Sequence, residues 1–128
     1  MNSILSLGRW LYAIPLILFG AFHFMGAKDM AGMVPSYFPA KEILVYLTGA
    51  GHLAAALAII LGKYDKLGTA LLGLMMVIFA LTIYLPGMGA EDAMASQMAT
   101  TQFLKDLMIG GAAWMYAANM AKDNSIIG

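Results

Sequence analysis

Two histidines, a lysine–aspartate pair and one arginine are the residues of this chain with chemistry in reach. His23, His52, Lys105 and Asp106 each sit within a stretch that is otherwise apolar, and Arg9 stands at the edge of another. An imidazole donates, accepts or carries a proton near neutral pH. A carboxylate beside it balances charge or fixes its tautomer, so Asp106 is expected to pair with Lys105 or a histidine. The chain has no cysteine. That excludes a thiolate nucleophile, disulfides, Cys-ligated zinc and iron–sulfur clusters. Seven basic residues balance seven acidic ones, so there is no phosphate-binding field and nucleic acid is excluded as a partner.

The elements that carry these residues follow from composition. Hydrophobic residues make up 62% of 128 and charged residues only 11%. A soluble domain of this size buries about two-thirds of its unfolded surface and has no means of hiding so much apolar area. The expected partner is the lipid bilayer. Four apolar runs, at about 10–27, 43–61, 67–85 and 103–121, are each long enough to cross roughly 27–29 Å as a helix. Helices are required because lone strands leave backbone groups unsatisfied in lipid. The expected fold class is all-α: one domain over 1–128, an integral membrane four-helix bundle, antiparallel. The short Gly62–Lys66 turn makes the second and third helices neighbours. Residues 28–40 hold Pro35 and Pro39 around Ser36-Tyr37-Phe38 and read as a surface-lying segment between helices one and two. Arg9, Lys63, Lys66 and Lys122 outnumber Lys28 and Lys41 on the other side, which puts both termini in the cytoplasm.

Helical spacing gathers the polar groups. Arg9, Tyr12, Leu16, Gly20 and His23 recur at steps of three and four residues and share one face. Glu42, Tyr46, Gly49, His52 and Ala56 do the same on the second helix. Gln102, Asp106, Ile109 and Ala113 share a face of the fourth, with Lys105 at its flank. The third offers only Thr69, Gly73, Met76, Ala80 and Tyr84. One reading is helix–helix glue, in which small residues allow close approach and polar groups bond across. The other is a small-molecule site in the outer half of the bundle, formed by His23, His52, Tyr46, Gln102, Lys105 and Asp106, with Gly49 and Gly110 leaving room for a ring.

Three motifs resemble the DoxX family: Arg9 ahead of a proline-bearing helix with Phe19-Gly20-Ala21-Phe22-His23-Phe24, then Thr48-Gly49-Ala50-Gly51-His52, then Phe103-Leu104-Lys105-Asp106-Leu107-Met108-Ile109-Gly110-Gly111. The resemblance covers about residues 8–120. It implies a four-helix protein of the bacterial cytoplasmic (inner) membrane, linked to quinone-dependent oxidoreductase assemblies. The expected function is a redox-linked membrane subunit holding a quinone-like molecule. The alternative is a non-catalytic accessory subunit of a larger membrane complex, with other membrane protein subunits as partners. Metal readings are set aside. Haem is disfavoured because His23 and His52 are expected to differ by about 7 Å in depth, at 1.5 Å per residue. A copper site at the outer methionines is disfavoured because the twelve methionines are spread through the whole chain.

Overall fold

The computed structural model describes residues 2–32 and 40–126. In order they form α1 (Asn2–Leu5), α2 (Gly8–Met25), α3 (Ala27–Ala31), α4 (Lys41–Leu61), α5 (Asp65–Phe79), a π-helical turn (Ala80–Tyr84), α6 (Leu85–Gly87) and α7 (Ala93–Asn119). All of these elements are helical, as the composition requires. Among the described residues, three helical stretches are long and apolar enough to cross a membrane: Ser3–Met25, Lys41–Leu61 and Asp65–Gly87. Their lipid-compatible sides are laid bare: Leu11 is 74% exposed, Leu47 62% and Leu71 56%.

The fourth expected span falls within α7, and α7 is not one of the three. Gln102, Lys105 and Asp106 interrupt it, and Ser96, Gln97, Thr100 and Thr101 fill its first turns. It also starts well before residue 103. Asp92 takes an extended backbone and its Oδ2 accepts the N–H of Ala95 at 3.2 Å, an N-cap that fixes the start at Ala93. Of the segment expected to lie on the surface, residues 28–31 belong to the short helix α3 (Ala27–Ala31). Pro35, Ser36, Tyr37, Phe38 and Pro39 lie outside the described residues.

The chain divides into two compact units, residues 1–68 with 121–128, and residues 69–120. In the first, α2 packs on α4. Arg9 Nη2 donates to the Ile59 carbonyl at 2.6 Å, Gly20 meets Leu53 and Gly49, and Phe24 packs on Tyr46. Partners descend along α4 as they ascend along α2. Ile59 offers one of the last carbonyls of α4, which have no partner within the helix, and the arginine's charge suits that end of the dipole. Ala13, Leu16, Val45, Ala55, Ala56 and Ile59 are buried. Gly62 ends α4 in the left-handed conformation (φ 69°), its N–H on the Ala58 carbonyl, where a side chain would be strained.

Past that turn the first unit is fastened by two aspartates. Asp65 is fully buried and accepts the N–H of Lys122 at 2.8 Å and of Asp123 at 2.9 Å. Asp123 in turn accepts the N–H of Tyr64 at 2.7 Å, a residue held at φ 57°. It also accepts Ser125 N–H and Oγ–H. Those bonds, the Ser125 hydroxyl foremost, hold the Asp123 carboxyl below the usual carboxylate range.

In the second unit α7 packs on the π-turn and α6. Thr82 Oγ1 turns back to the Ile78 carbonyl, which loosens a helix locally. Pro86 then lacks the N–H that a regular turn would direct at residue 82. The ladder widens instead, with Leu85 N–H bonded five residues back to Ala80. Gly73 and Gly110 face each other closely, and Trp114 Nε1 donates to the Ala70 carbonyl at 3.0 Å beside them. Leu72, Met76, Ala80, Ala113 and Tyr116 are buried.

Candidate functional site

The site in the first unit begins with two glycines. A Cβ on Gly49 would come within 2.8 Å of His23 Cβ and 3.0 Å of the Gly20 carbonyl oxygen. A Cβ on Gly20 would come within 2.6 Å of Leu53 Cγ and 3.0 Å of the Gly49 carbonyl oxygen. Only hydrogen at both positions lets the two backbones approach this closely. This corrects one expectation. Gly49 leaves no room for a ring, because His23 and the α2 backbone fill that space. Gly110 is likewise closed, with the Gly73 carbonyl oxygen at 3.2 Å and Met76 Cβ at 3.3 Å from a Cβ placed there.

Each of the crossing glycines is followed, three residues on, by a histidine. The rings of His23 and His52 are stacked, with centroids 5.1 Å apart and planes at 25°. The expected depth offset of about 7 Å is therefore not present between the imidazoles. The reason is directional. Side chains on a helix lean towards its N-terminus, and α2 and α4 are paired so that each histidine leans towards the other. Haem remains unsuited for a different reason: stacked faces leave no space between the rings for a porphyrin. Phe19 meets His52 edge-on at 6.2 Å, with the geometry aromatic pairs prefer.

Hydrogen bonds fix the rings further. His23 Nδ1 lies 2.5 Å from the Phe19 carbonyl oxygen and His52 Nδ1 lies 2.7 Å from that of Thr48. A carbonyl oxygen only accepts, so both Nδ1 atoms carry their proton. Thr48 itself donates to the Leu44 carbonyl at 2.8 Å. His52 is buried and His23 half-buried. A ring whose Nδ1–H is tied to a carbonyl is oriented and presents Nε2, an arrangement common where imidazole binds a metal or moves a proton.

The other sequence candidates are placed as follows. Tyr46 is 40% exposed and lies against Phe24, centroids 5.6 Å apart. Gln102, Lys105 and Asp106 belong to the second unit, Asp106 buried and the other two half-buried. Lys105 and Asp106 are consecutive and so diverge by about 100° around the helix. The expected pairing of Asp106 is not found: among the described residues its carboxylate has no hydrogen bond and no ion pair, and only the charge of Lys105 and the ring of Tyr84 are near enough to interact electrostatically. Among the described residues no three His, Asp or Glu side chains are grouped to hold a metal ion.

Sequence reasoning missed the Nδ1 anchors and the Asp65–Asp123 clasp. The anchors had a signal, since a carbonyl four residues back is in reach of any helical histidine. The clasp had half of one: Asp123-Asn124-Ser125 is a turn-forming pattern, but nothing local points to Asp65.

A family model described as "Domain of unknown function (DUF8561)" matches residues 12–104. No curated protein and no solved structure matches the chain.

Proposed function

The chain belongs to the DUF8561 family, and we propose that it is a membrane subunit whose stacked His23–His52 pair holds a small quinone-like molecule in a redox-linked role. One observation carries this reading. Two imidazoles from different helices are brought face to face at a glycine crossing, and both rings are oriented by Nδ1 bonds to backbone carbonyls. Glue between helices asks only for bonds across the interface, whereas here both Nδ1 protons are spent within their own helices.

The proposal includes a four-helix antiparallel bundle, with α7 as the fourth crossing beside the three apolar spans. It also includes a bacterial cytoplasmic membrane with both termini inside. The support is the surplus of Arg9, Lys63, Lys66 and Lys122 on one side. The likeness to DoxX proteins, and the quinone it suggests, rest on the sequence motifs. Gln102, Lys105 and Asp106 lie in the second unit.

The test is purification of the full chain from native membrane, followed by mass spectrometry of everything that accompanies it. A bound quinone or related ring, lost in His52→Leu while the helical signal persists, is the expected result. A stoichiometric protein partner with no small molecule would establish the accessory-subunit reading instead.

A further inference from the structure

Arg9 is a fixed charge inside an apolar span. It lies within Ser3–Met25, about 9 Å past the start of that stretch at 1.5 Å per residue, and a guanidinium keeps its charge in proteins. Nη2 is spent on the Ile59 carbonyl. Nε is buried with no hydrogen-bond partner, and Nη1 donates to none of the described residues. Among the described residues no carboxylate forms an ion pair with Arg9. A backbone carbonyl satisfies a donor but carries no counter-charge. Arg9 is half-buried, so a group arriving from outside the helix pair reaches it.

The level of this charge follows from its neighbours. Side chains lean towards the N-terminus of their helix, so Arg9 leans towards the nearer membrane surface. Its partner Ile59 stands in the last turn of α4, which ends at Leu61. Trp10 beside it and Tyr64 on the turn after α4 are both exposed, and exposed Trp and Tyr favour headgroup depth. This end of the first unit is also basic, with Arg9, Lys63, Lys66 and Lys122 against Asp65 and Asp123. Both carboxylates are committed within the fold. Asp65 is fully buried on two backbone N–H groups, and Asp123 holds Tyr64 and Ser125.

We propose that Arg9 binds the headgroup phosphate of an anionic phospholipid. The site is separate from the histidine pair and rests only on the reading that these helices cross a membrane. The phosphate accepts from Nη1 in a charge-assisted bond and supplies the counter-charge that the chain itself does not. Acyl chains hold a lipid phosphate at this depth, whereas an aqueous phosphate must enter the apolar layer to reach it. The surplus of cations at this end favours a net-negative lipid over a zwitterionic one, whose own ammonium offsets its phosphate.

The test uses the full chain in detergent micelles containing equal amounts of phosphatidylglycerol and phosphatidylcholine with the same acyl chains. Native mass spectrometry reads which lipid stays bound. Phosphatidylglycerol should be retained about fivefold over phosphatidylcholine, the weight of one basic residue at an anionic surface. In Arg9→Gln the preference should fall to within about twofold. Lys41→Gln removes the same charge at the other end of α4 and should keep it. Arg9→Lys keeps the charge without the planar fork and should fall between. Equal retention of the two lipids by the unmodified chain overturns the proposal. So does a preference that survives Arg9→Gln, which would belong to the lysines. Displacement of the lipid by inorganic phosphate gives the position to an aqueous anion and overturns it. A dimer, in place of bound lipid, that Arg9→Gln dissociates gives it to a carboxylate of a second copy and overturns it too. A chain that stays dispersed without detergent and retains neither lipid overturns the membrane reading itself, an outcome distinct from equal retention. Should Arg9→Gln not fold, the decision passes to Arg9→Lys, where an unchanged preference overturns the assignment to Arg9.

Discussion

Both units contain a crossing of two helices at paired glycines, and the two crossings are finished differently. At Gly20–Gly49 the neighbouring side chains are imidazoles, stacked on each other and tied to their own helices. At Gly73–Gly110 the neighbour is the Trp114 indole, whose N–H is satisfied by the Ala70 carbonyl, with Met76 and Val77 beside it. The close approach is thus a packing device common to both units, and it does not by itself make a site. What distinguishes the first crossing is the choice of side chain three residues later.

The strongest way to break this comparison is to add a methyl group at each crossing. Gly49→Ala and Gly73→Ala are each expected to cost about 1–3 kcal/mol, because backbone and anchored side chains must shift. Thermal melting in detergent measures that common loss. The two should differ in ligand retention: Gly49→Ala separates the imidazoles and releases any bound ring, whereas Gly73→Ala leaves it in place. Loss of ligand in both variants would mean that the crossings are not independent in function.

A second contrast is between buried aspartates. Asp65 accepts two backbone N–H groups, and an asparagine there has one oxygen for two donors. Asp65→Asn should therefore lower stability by about 1–3 kcal/mol. Asp106 has no such partners to lose, so Asp106→Asn should leave the melting temperature unchanged or raise it. A drop as large as that of Asp65→Asn would reveal a partner for Asp106.

Trp114→Phe keeps an aromatic cover over Gly73 and removes the bond to Ala70. The expected cost is about 1 kcal/mol, with no effect on a ligand at the histidines.

The smallest effect is acid sensitivity of the clasp. The folded Asp123 carboxyl titrates below its ordinary value of 3.8, so its charged form is favoured by folding. Its contribution is complete above that value and is lost as the pH falls through the lower, folded one. Melting temperature followed from pH 6 to pH 3 should fall more steeply in the unmodified chain than in Asp123→Asn.

Much of this was legible in the sequence. The three- and four-residue stripes place Leu16 and Gly20, Gly49 and His52, Thr69, Met76 and Ala80, and Asp106 and Ala113 on covered faces, and these are buried, whereas His23 and Gln102 on the same stripes are half-buried and Tyr46 is exposed. Periodicity reports which side of a helix is covered, and lipid demands it as strictly as water does. The boundaries of α7 were less legible, because a single Asp92 cap adds ten residues to a helix whose apolar run begins only at Phe103. The meeting of His23 with His52 was hidden from a count of residues along the helix axis, since it depends on the lean of the side chains and on the missing Cβ atoms at Gly20 and Gly49. The clasp joins a turn to a tail, and no local rule spans that distance.

That clasp also sets an order of events during synthesis. Lys122 lies 57 residues beyond Asp65 and Asp123 lies 58 beyond it. At about 5–20 residues per second the ribosome needs roughly 3–12 s to make that stretch. Throughout that interval the Asp65 carboxylate and the Tyr64 amide lack their tail partners, while all of residues 69–120 are being delivered. The first unit begins first and closes last.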